Sequence, residues 1–281
     1  GYTIYWHSTA QEIRAGIDRW AEERRAKGWT VKLGSPSVKG FPLRLDLFIR
    51  TPILAGPGNQ WRWEMPNVSA SAQPWALTNI EMSVPGVHTL KTEGHAVVFT
   101  LARANGELQI RSGKPGFVAV RLAGLEWAHR DGVTTSIDKL ALQVENPASH
   151  NAQFGNPTTD IMVSLDAEKV AFPEAWKLPL GNDLSRLSFD AAVAGLSQLS
   201  GTLPEALSRW SDAGGAIELR RFVLKWEAFS LRGEGTIALD ENLQPQGAIT
   251  AEIDGVEKLS EALIAAGVIN GVGHWGGYRN F

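Results

Sequence analysis

Gly271-Val272-Gly273-His274-Trp275-Gly276 has the G-x-G-x-x-G spacing that lets a backbone approach a pyrophosphate. Here it follows a helical pattern instead of a strand, and the chain ends before an acidic ribose ligand could appear, so dinucleotide binding is not expected. The six histidines, His7, His88, His95, His129, His150 and His274, are scattered singly, without the spacing of metal ligands. His129 and Asp131 could in principle orient an imidazole for proton transfer, but a pair so close in sequence reads first as a turn. Asp and Glu are dispersed at strand ends, which gives a glycosidase-type carboxylate pair no support. There is no cysteine, which excludes thiol catalysis, disulfides and thiolate metal sites. P-loop, H-E-x-x-H, G-x-S-x-G and EF-hand patterns are all missing. No catalytic residue, metal site or cofactor is expected, and a hydrolase with an unrecognised site ranks last among the readings.

What chemistry remains lies in apolar strand surface. Ala96-Val97-Val98-Phe99 and Phe117-Val118-Ala119-Val120 are apolar at every position, whereas an antiparallel strand with one wet face should alternate. Such strands need a second covering layer, here helices, or an apolar ligand. A lipid chain is a natural candidate, because burial is worth about 0.8 kcal/mol per methylene and a sixteen-carbon chain represents roughly 13 kcal/mol gross. Residues of one parity on several strands would line such a groove: Leu45, Leu47, Val97, Phe99, Val118, Val120, Leu219, Ile237 and Ile249, with Trp127 or Trp226 near a rim. A one-residue slip would exchange the two faces.

The elements that would position these residues can be read from periodicity. Ile13, Ile17, Trp20 and Ala21 fall on one face of a helix expected over Ser8–Lys27, with Gly28 as its stop. Strand patterns follow at Leu43–Ile49, Leu77–Val84, His95–Arg103, Glu107–Arg111, Phe117–His129, Val133–Val144 and Asp160–Phe172. Pro85-Gly86, Asn105-Gly106 and Lys114-Pro115-Gly116 read as turns between them. Further on, a helix is expected over Leu203–Ala213, strands at Ala216–Leu224, Ala228–Leu239 and Gly247–Ile253, and a helix at Val256–Ala266. A glycine-rich tail from Asn270 to Phe281 is expected to be mobile. Links this short make neighbouring strands antiparallel. The fold class is therefore α+β: a long, twisted antiparallel β-sheet, forming a groove or half-barrel, with a few flanking amphipathic helices.

Composition narrows the partners. The 281 residues carry 27 basic against 30 acidic side chains, so no nucleic acid is expected. Eleven Trp against three Tyr form a large aromatic load, suited to packing and to apolar cavities or membrane boundaries. Tyr2, Tyr5 and Trp6 resemble the interfacial belt where a membrane helix leaves the bilayer, and no apolar run long enough to span one is present. The expectation is that an N-terminal anchor or signal segment preceded Gly1 and was removed.

Val38-Lys39-Gly40-Phe41-Pro42-Leu43-Arg44-Leu45-Asp46-Leu47 resembles the G-F-P-x-R strand opening of the domain-of-unknown-function 2125 family of bacterial envelope proteins. Trp61-Arg62-Trp63-Glu64-Met65-Pro66, Gln73-Pro74-Trp75 and Pro85-Gly86 fit the same pattern. Gly215 to Ile269 resembles the C-terminal part of AsmA-like proteins, through Leu231-Arg232-Gly233-Glu234-Gly235-Thr236-Ile237 and Pro245-Gln246-Gly247. These resemblances imply a periplasmic protein held at the inner membrane by an N-terminal anchor, with twisted sheets serving lipid transport or outer-membrane homeostasis. They transfer no catalytic residue. The organisation expected is residues 1–28 as tail and helix, 29–175 as a β-rich part, and 176–281 as an AsmA-like β-rich part. The functional expectation is a non-enzymatic protein binding a lipid or another hydrophobic molecule in a β-sheet groove. The alternative is an envelope scaffold or assembly factor that binds protein partners.

Overall fold

The computed structural model describes residues 1–147, 159–195, 203–240 and 242–267. A long helix, α1 (Tyr2–Ala26), precedes the strands β1 (Thr30–Lys32), β2 (Ser37–Lys39), β3 (Leu45–Ile49), β4 (Ile53–Ala55) and β5 (Trp61–Glu64). Next come β6 (Val68–Gln73), β7 (Ala76–Ser83), β8 (Gly86–Thr92), β9 (His95–Arg111), β10 (Lys114–Ala128) and β11 (Thr134–Glu145). The chain continues through β12 (Thr159–Ala171), β13 (Asp183–Ala194), α2 (Leu203–Asp212), β14 (Ala216–Trp226), β15 (Phe229–Leu239), β16 (Pro245–Asp254) and α3 (Val256–Ala265). All strands join one 16-stranded antiparallel sheet, so the expected α+β class holds. The sheet runs without interruption past residue 175, where β12 pairs with β13.

From β9 to β16 the order is a plain meander, each strand pairing with the next. Beyond β9 the sheet forks. The first half of β9 pairs with β8, from Thr92↔His95 to Gly86↔Leu101, and leads to β5, β4 and β1. Its second half pairs with β7, from Ser83↔Asn105 to Asn79↔Gln109, and leads to β6, β3 and β2. Helix α1, about 37 Å long at 1.5 Å per residue, ties the two branches together. Near its start Trp6 and Ala10 pack on Leu45 of β3, and near its end Arg25 donates hydrogen bonds of 3.1 and 2.8 Å to the Val31 carbonyl of β1.

That helix begins at Tyr2, six residues earlier than its apolar stripe suggests, because its first turns have a tertiary seat. Phe41 packs edge-on to Trp6 at 5.6 Å and stacks on His7 at 5.9 Å. Trp6 Nε1 donates to the Arg44 carbonyl at 2.8 Å, Tyr5 to the Pro74 carbonyl at 2.6 Å, and Tyr2 to the Pro42 carbonyl. The aromatic residues at the start of the chain thus clamp α1 onto the turns before β3 and β7. Gly40 through Arg44 forms a turn closed by the Arg44 N–H on the Gly40 carbonyl at 2.9 Å, and it leaves Leu43 exposed ahead of β3.

Two expected turns are absent. Asn105-Gly106 lies inside β9, where Asn105 stands between Ser83 and Arg121 and Gly106 between Met82 and Val120. The glycine serves close approach: a Cβ there would lie 3.3 Å from Met82 Cε. The hairpin between β9 and β10 is made one step earlier than expected, by Ser112 and Gly113, with φ of 52° and 75°. Both angles are positive, as a two-residue type I′ turn requires. β13 was not expected at all, nor were the short strands β1, β2, β4, β5, β6 and β8. The expected mobile tail lies outside the described residues.

Candidate functional site

Side chains directly opposite in antiparallel strands share a face, so cross-strand rows can be followed through the ladders. One row passes from Leu108 through Val118, Val144, Val163, Ala191, Leu219 and Gly235 to Ile249, crossing every strand from β9 to β16. A neighbouring row begins on the forked branch with Leu47, Ala70 and Met82, and continues through Gly106, Val120, Leu142, Leu165, Phe189 and Phe222. Ile237 stands opposite Ile217 on the same face. At about 4.8 Å per strand the first row is about 34 Å long.

The opposite face is polar. Glu81, Glu107, Gln143, Ser164, Asp190 and Arg221 follow one another there, with only Ala119 apolar in the row. Arg221 binds Asp190 at 2.6 Å, and this hydrogen bond holds the Asp190 carboxyl below its ordinary range. A cavity of about 550 Å³ on this side is lined by Arg44, Asp46, Ser71, Glu81, Glu107 and Arg121. Both of its arginines are paired in place, Arg44 with Asp46 at 3.1 Å and Arg121 with Glu107 at 3.7 Å.

A line of skipped pairs crosses the sheet and changes which residues reach the apolar face. The ladders pass directly from Ala123↔Arg103 to Leu125↔Leu101, from Lys139↔Glu168 to Ile137↔Val170, and from Glu168↔Arg186 to Val170↔Leu184. The positions omitted are Ala102, Gly124, Asp138, Lys169 and Ser185. On either side of this line the inward residues lie three apart: Leu122 and Leu125, Ile137 and Leu140, Ala167 and Val170, Leu184 and Leu187. Gly124 has φ +59° and Lys169 φ +52°, left-handed conformations that re-aim the side chains.

Beyond this line lies a second, wholly apolar cavity of about 280 Å³, lined by Val97, Phe99, Leu101, Leu122, Leu125 and Trp127. A chain of aromatic rings borders it. Trp127 stacks on His129 at 5.1 Å, and His129 meets Trp176 at 4.8 Å. Phe172 then stacks on Trp176 at 6.1 Å and on Trp226 at 5.5 Å. Trp127 and Trp176 are 45% and 42% exposed, so this end presents rings to solvent. On the other side Phe99 stacks on His88 at 4.8 Å with rings parallel. His88 is buried, its Nε2 lies 3.0 Å from the Val84 carbonyl, and burial holds its pKa below the ordinary value.

The structure therefore brings Leu47, Val97, Phe99, Val118, Val120, Leu219, Ile237, Ile249, Trp127 and Trp226 to one face. Leu45 shares that face but is 2% exposed beneath Trp6 and Ala10, so α1 occupies its place and no ligand can reach it. Away from α1 the rows are half-buried, and Ile249 at the edge is 60% exposed. Sequence reasoning missed His129, Phe172 and Trp176 as neighbours, and the inward residues of β13. The signal for the latter was the alternation of Leu187, Phe189, Ala191 and Val193, which the three-residue step back to Leu184 interrupts. Asp131 accepts a hydrogen bond from the Val133 N–H at 3.3 Å, while His129 Nε2 lies 2.8 Å from Thr135 Oγ1, so the two do not form a pair. Among the described residues no cluster of His, Asp and Glu could hold a metal, and no helix is long and apolar enough to cross a membrane.

The model of one protein family matches residues 6–272. The chain belongs to the DUF2125 family. Its members are described as uncharacterized proteins conserved in bacteria. The DUF2125 match takes in α1 from Trp6, the turn on which it sits, and the whole sheet. No curated protein and no solved structure matches the chain.

Proposed function

We propose that this DUF2125 protein binds a lipid, or another long apolar molecule, along the apolar face of its sheet. The carrying observation is the row from Leu108 to Ile249, apolar on every strand and, apart from buried Ala191, left half-buried to exposed by the described helices. A length of about 34 Å compares with the roughly 30 Å of a bilayer's hydrocarbon core, which holds two acyl chains end to end. The aromatic chain from Trp127 to Trp226 supports entry at that end, because such rings favour the boundary between apolar and aqueous surroundings. With the AsmA-like resemblance of Gly215 to Ile269, this reading places the protein in the periplasm, tied to the inner membrane through an N-terminal anchor. There it serves envelope lipid transport or outer-membrane homeostasis without catalysing a reaction.

The test is organic extraction of the purified protein followed by mass spectrometry. A lipid at a defined molar ratio, lost in Val118→Lys, is the expected result. Protein free of any co-purifying apolar molecule, which also fails to take up a fluorescent fatty acid, would remove the proposal.

A further inference from the structure

The two ends of the sheet are finished differently. At the forked end the terminal strands β1 and β2 are three residues each, and α1 lies against both. Arg25 also fills the Val31 carbonyl there. At the other end β16 is ten residues long, pairs among the described residues only with β15, and is exposed at every position. Helix α3 does not shield this edge; it turns back to pack on β15. Every second residue of β16 thus points an unpaired N–H and C=O outward. A long regular edge of this kind is a template for another strand, and proteins that must avoid pairing block it with lysine, proline or a bulge. β16 carries no lysine, its proline stands only at its first position, and its register with β15 runs unbroken from Ser230↔Asp254 to Leu239↔Pro245.

We infer that β16 pairs edge to edge with β16 of a second copy of this chain, forming an antiparallel two-fold dimer. The strand is complementary to itself. Pairing apolar face with apolar face allows a two-fold centred on Ile249 or on Thr250. In the first register Glu252 faces Gln246 of the other copy, and in the second it faces Ala248. Asp254 faces no acidic residue in either. The only ionised groups on β16 therefore never oppose like charges, which is the arrangement a self-pairing edge needs. Ile249, 60% exposed, and Ile253, 45% exposed, gain apolar neighbours on the same face. This inference does not depend on the ligand, since it rests on the edge alone.

Light scattering on the purified chain should give twice the monomer mass. Ile249→Lys with Ala251→Lys sets lysines opposite one another in both registers, position 249 against itself in the first and against position 251 in the second, with neither facing Glu252 or Asp254. Both positions pair with glycines of β15, so an exposed strand stays in place, and the variant should be monomer with an unchanged circular dichroism spectrum. Because the chain has no cysteine, Ile249→Cys or Thr250→Cys introduces a single thiol, and mild oxidation should cross-link the variant at the two-fold. A monomer in the unsubstituted chain, a dimer that survives the double lysine change, or no cross-link in either cysteine variant would overturn the inference.

Discussion

Leu122 and Leu125, three residues apart on β10, line the same apolar cavity. A regular strand would place them on opposite faces. Between them Gly124 adopts φ +59°, and the ladders on both sides of β10 skip it. The same three-residue step recurs at Ile137 and Leu140, Ala167 and Val170, and Leu184 and Leu187. One line of skipped pairs thus keeps a single apolar face continuous where simple alternation would have broken it.

Gly124→Val should be strongly destabilising. A Cβ at this position would lie 2.8 Å from Ala102 Cβ, in a conformation that β-branched residues avoid. Such strain costs about 1–3 kcal/mol before any repacking. Gly113→Asn, also at positive φ but facing open space, should cost much less. Urea unfolding of the two variants side by side measures the difference.

Trp6→Ala removes a side chain that is 4% exposed, together with its hydrogen bond to the Arg44 carbonyl. Large-to-small changes of this kind cost about 3–5 kcal/mol. Trp6→Phe keeps ring packing on Ala10 and Leu45 but leaves that carbonyl unpaired, and should cost about 1–2 kcal/mol. Limited proteolysis should then cut first within α1, since that helix depends on its seat on the turn before β3.

His88 gives the fold a pH dependence. Burial lowers its pKa in the folded state below the ordinary 6.5, so the unfolded chain binds the proton more readily. Its contribution to stability is complete above about pH 6.5 and is lost as pH falls from there through the folded-state value. His88→Phe, which keeps a ring stacked on Phe99, should flatten the Tm profile between pH 5 and 7. Identical profiles for the two proteins would show that His88 is not the group responsible.

Adjacent residues on β12 separate ligand binding from stability. Val163 lies in the apolar row and Ser164 in the polar one. Val163→Lys should abolish co-purification of an apolar ligand with a stability loss of about 1 kcal/mol, the usual size for a point substitution. Ser164→Lys should leave binding within about twofold of the unsubstituted protein, as surface changes away from a site usually do. Equal loss of binding in both would mean that the apolar face is not the site.

Strand-like runs such as the alternation of Leu45, Leu47 and Ile49 along β3, the short links between them and the apolar stripes of the helices made the antiparallel α+β class and the three helices legible from the chain alone, because these are local patterns. Helix α3 over Val256–Ala265 and strand β15 over Phe229–Leu239 fall within a residue or so of their sequence pattern for that reason. Three things were decided by partners distant in sequence. Asn105-Gly106, a good hairpin signal by itself, became mid-strand because β7 and β10 flank it and Gly106 makes room for Met82. Leu45, placed correctly on the apolar face by parity, was taken from any ligand by Trp6 and Ala10, since its cover comes from a helix that begins forty residues earlier in tertiary contact with Pro42. And the inward face of β10 to β13 was set by a line of left-handed and unpaired residues that only neighbouring strands, bending together, can define.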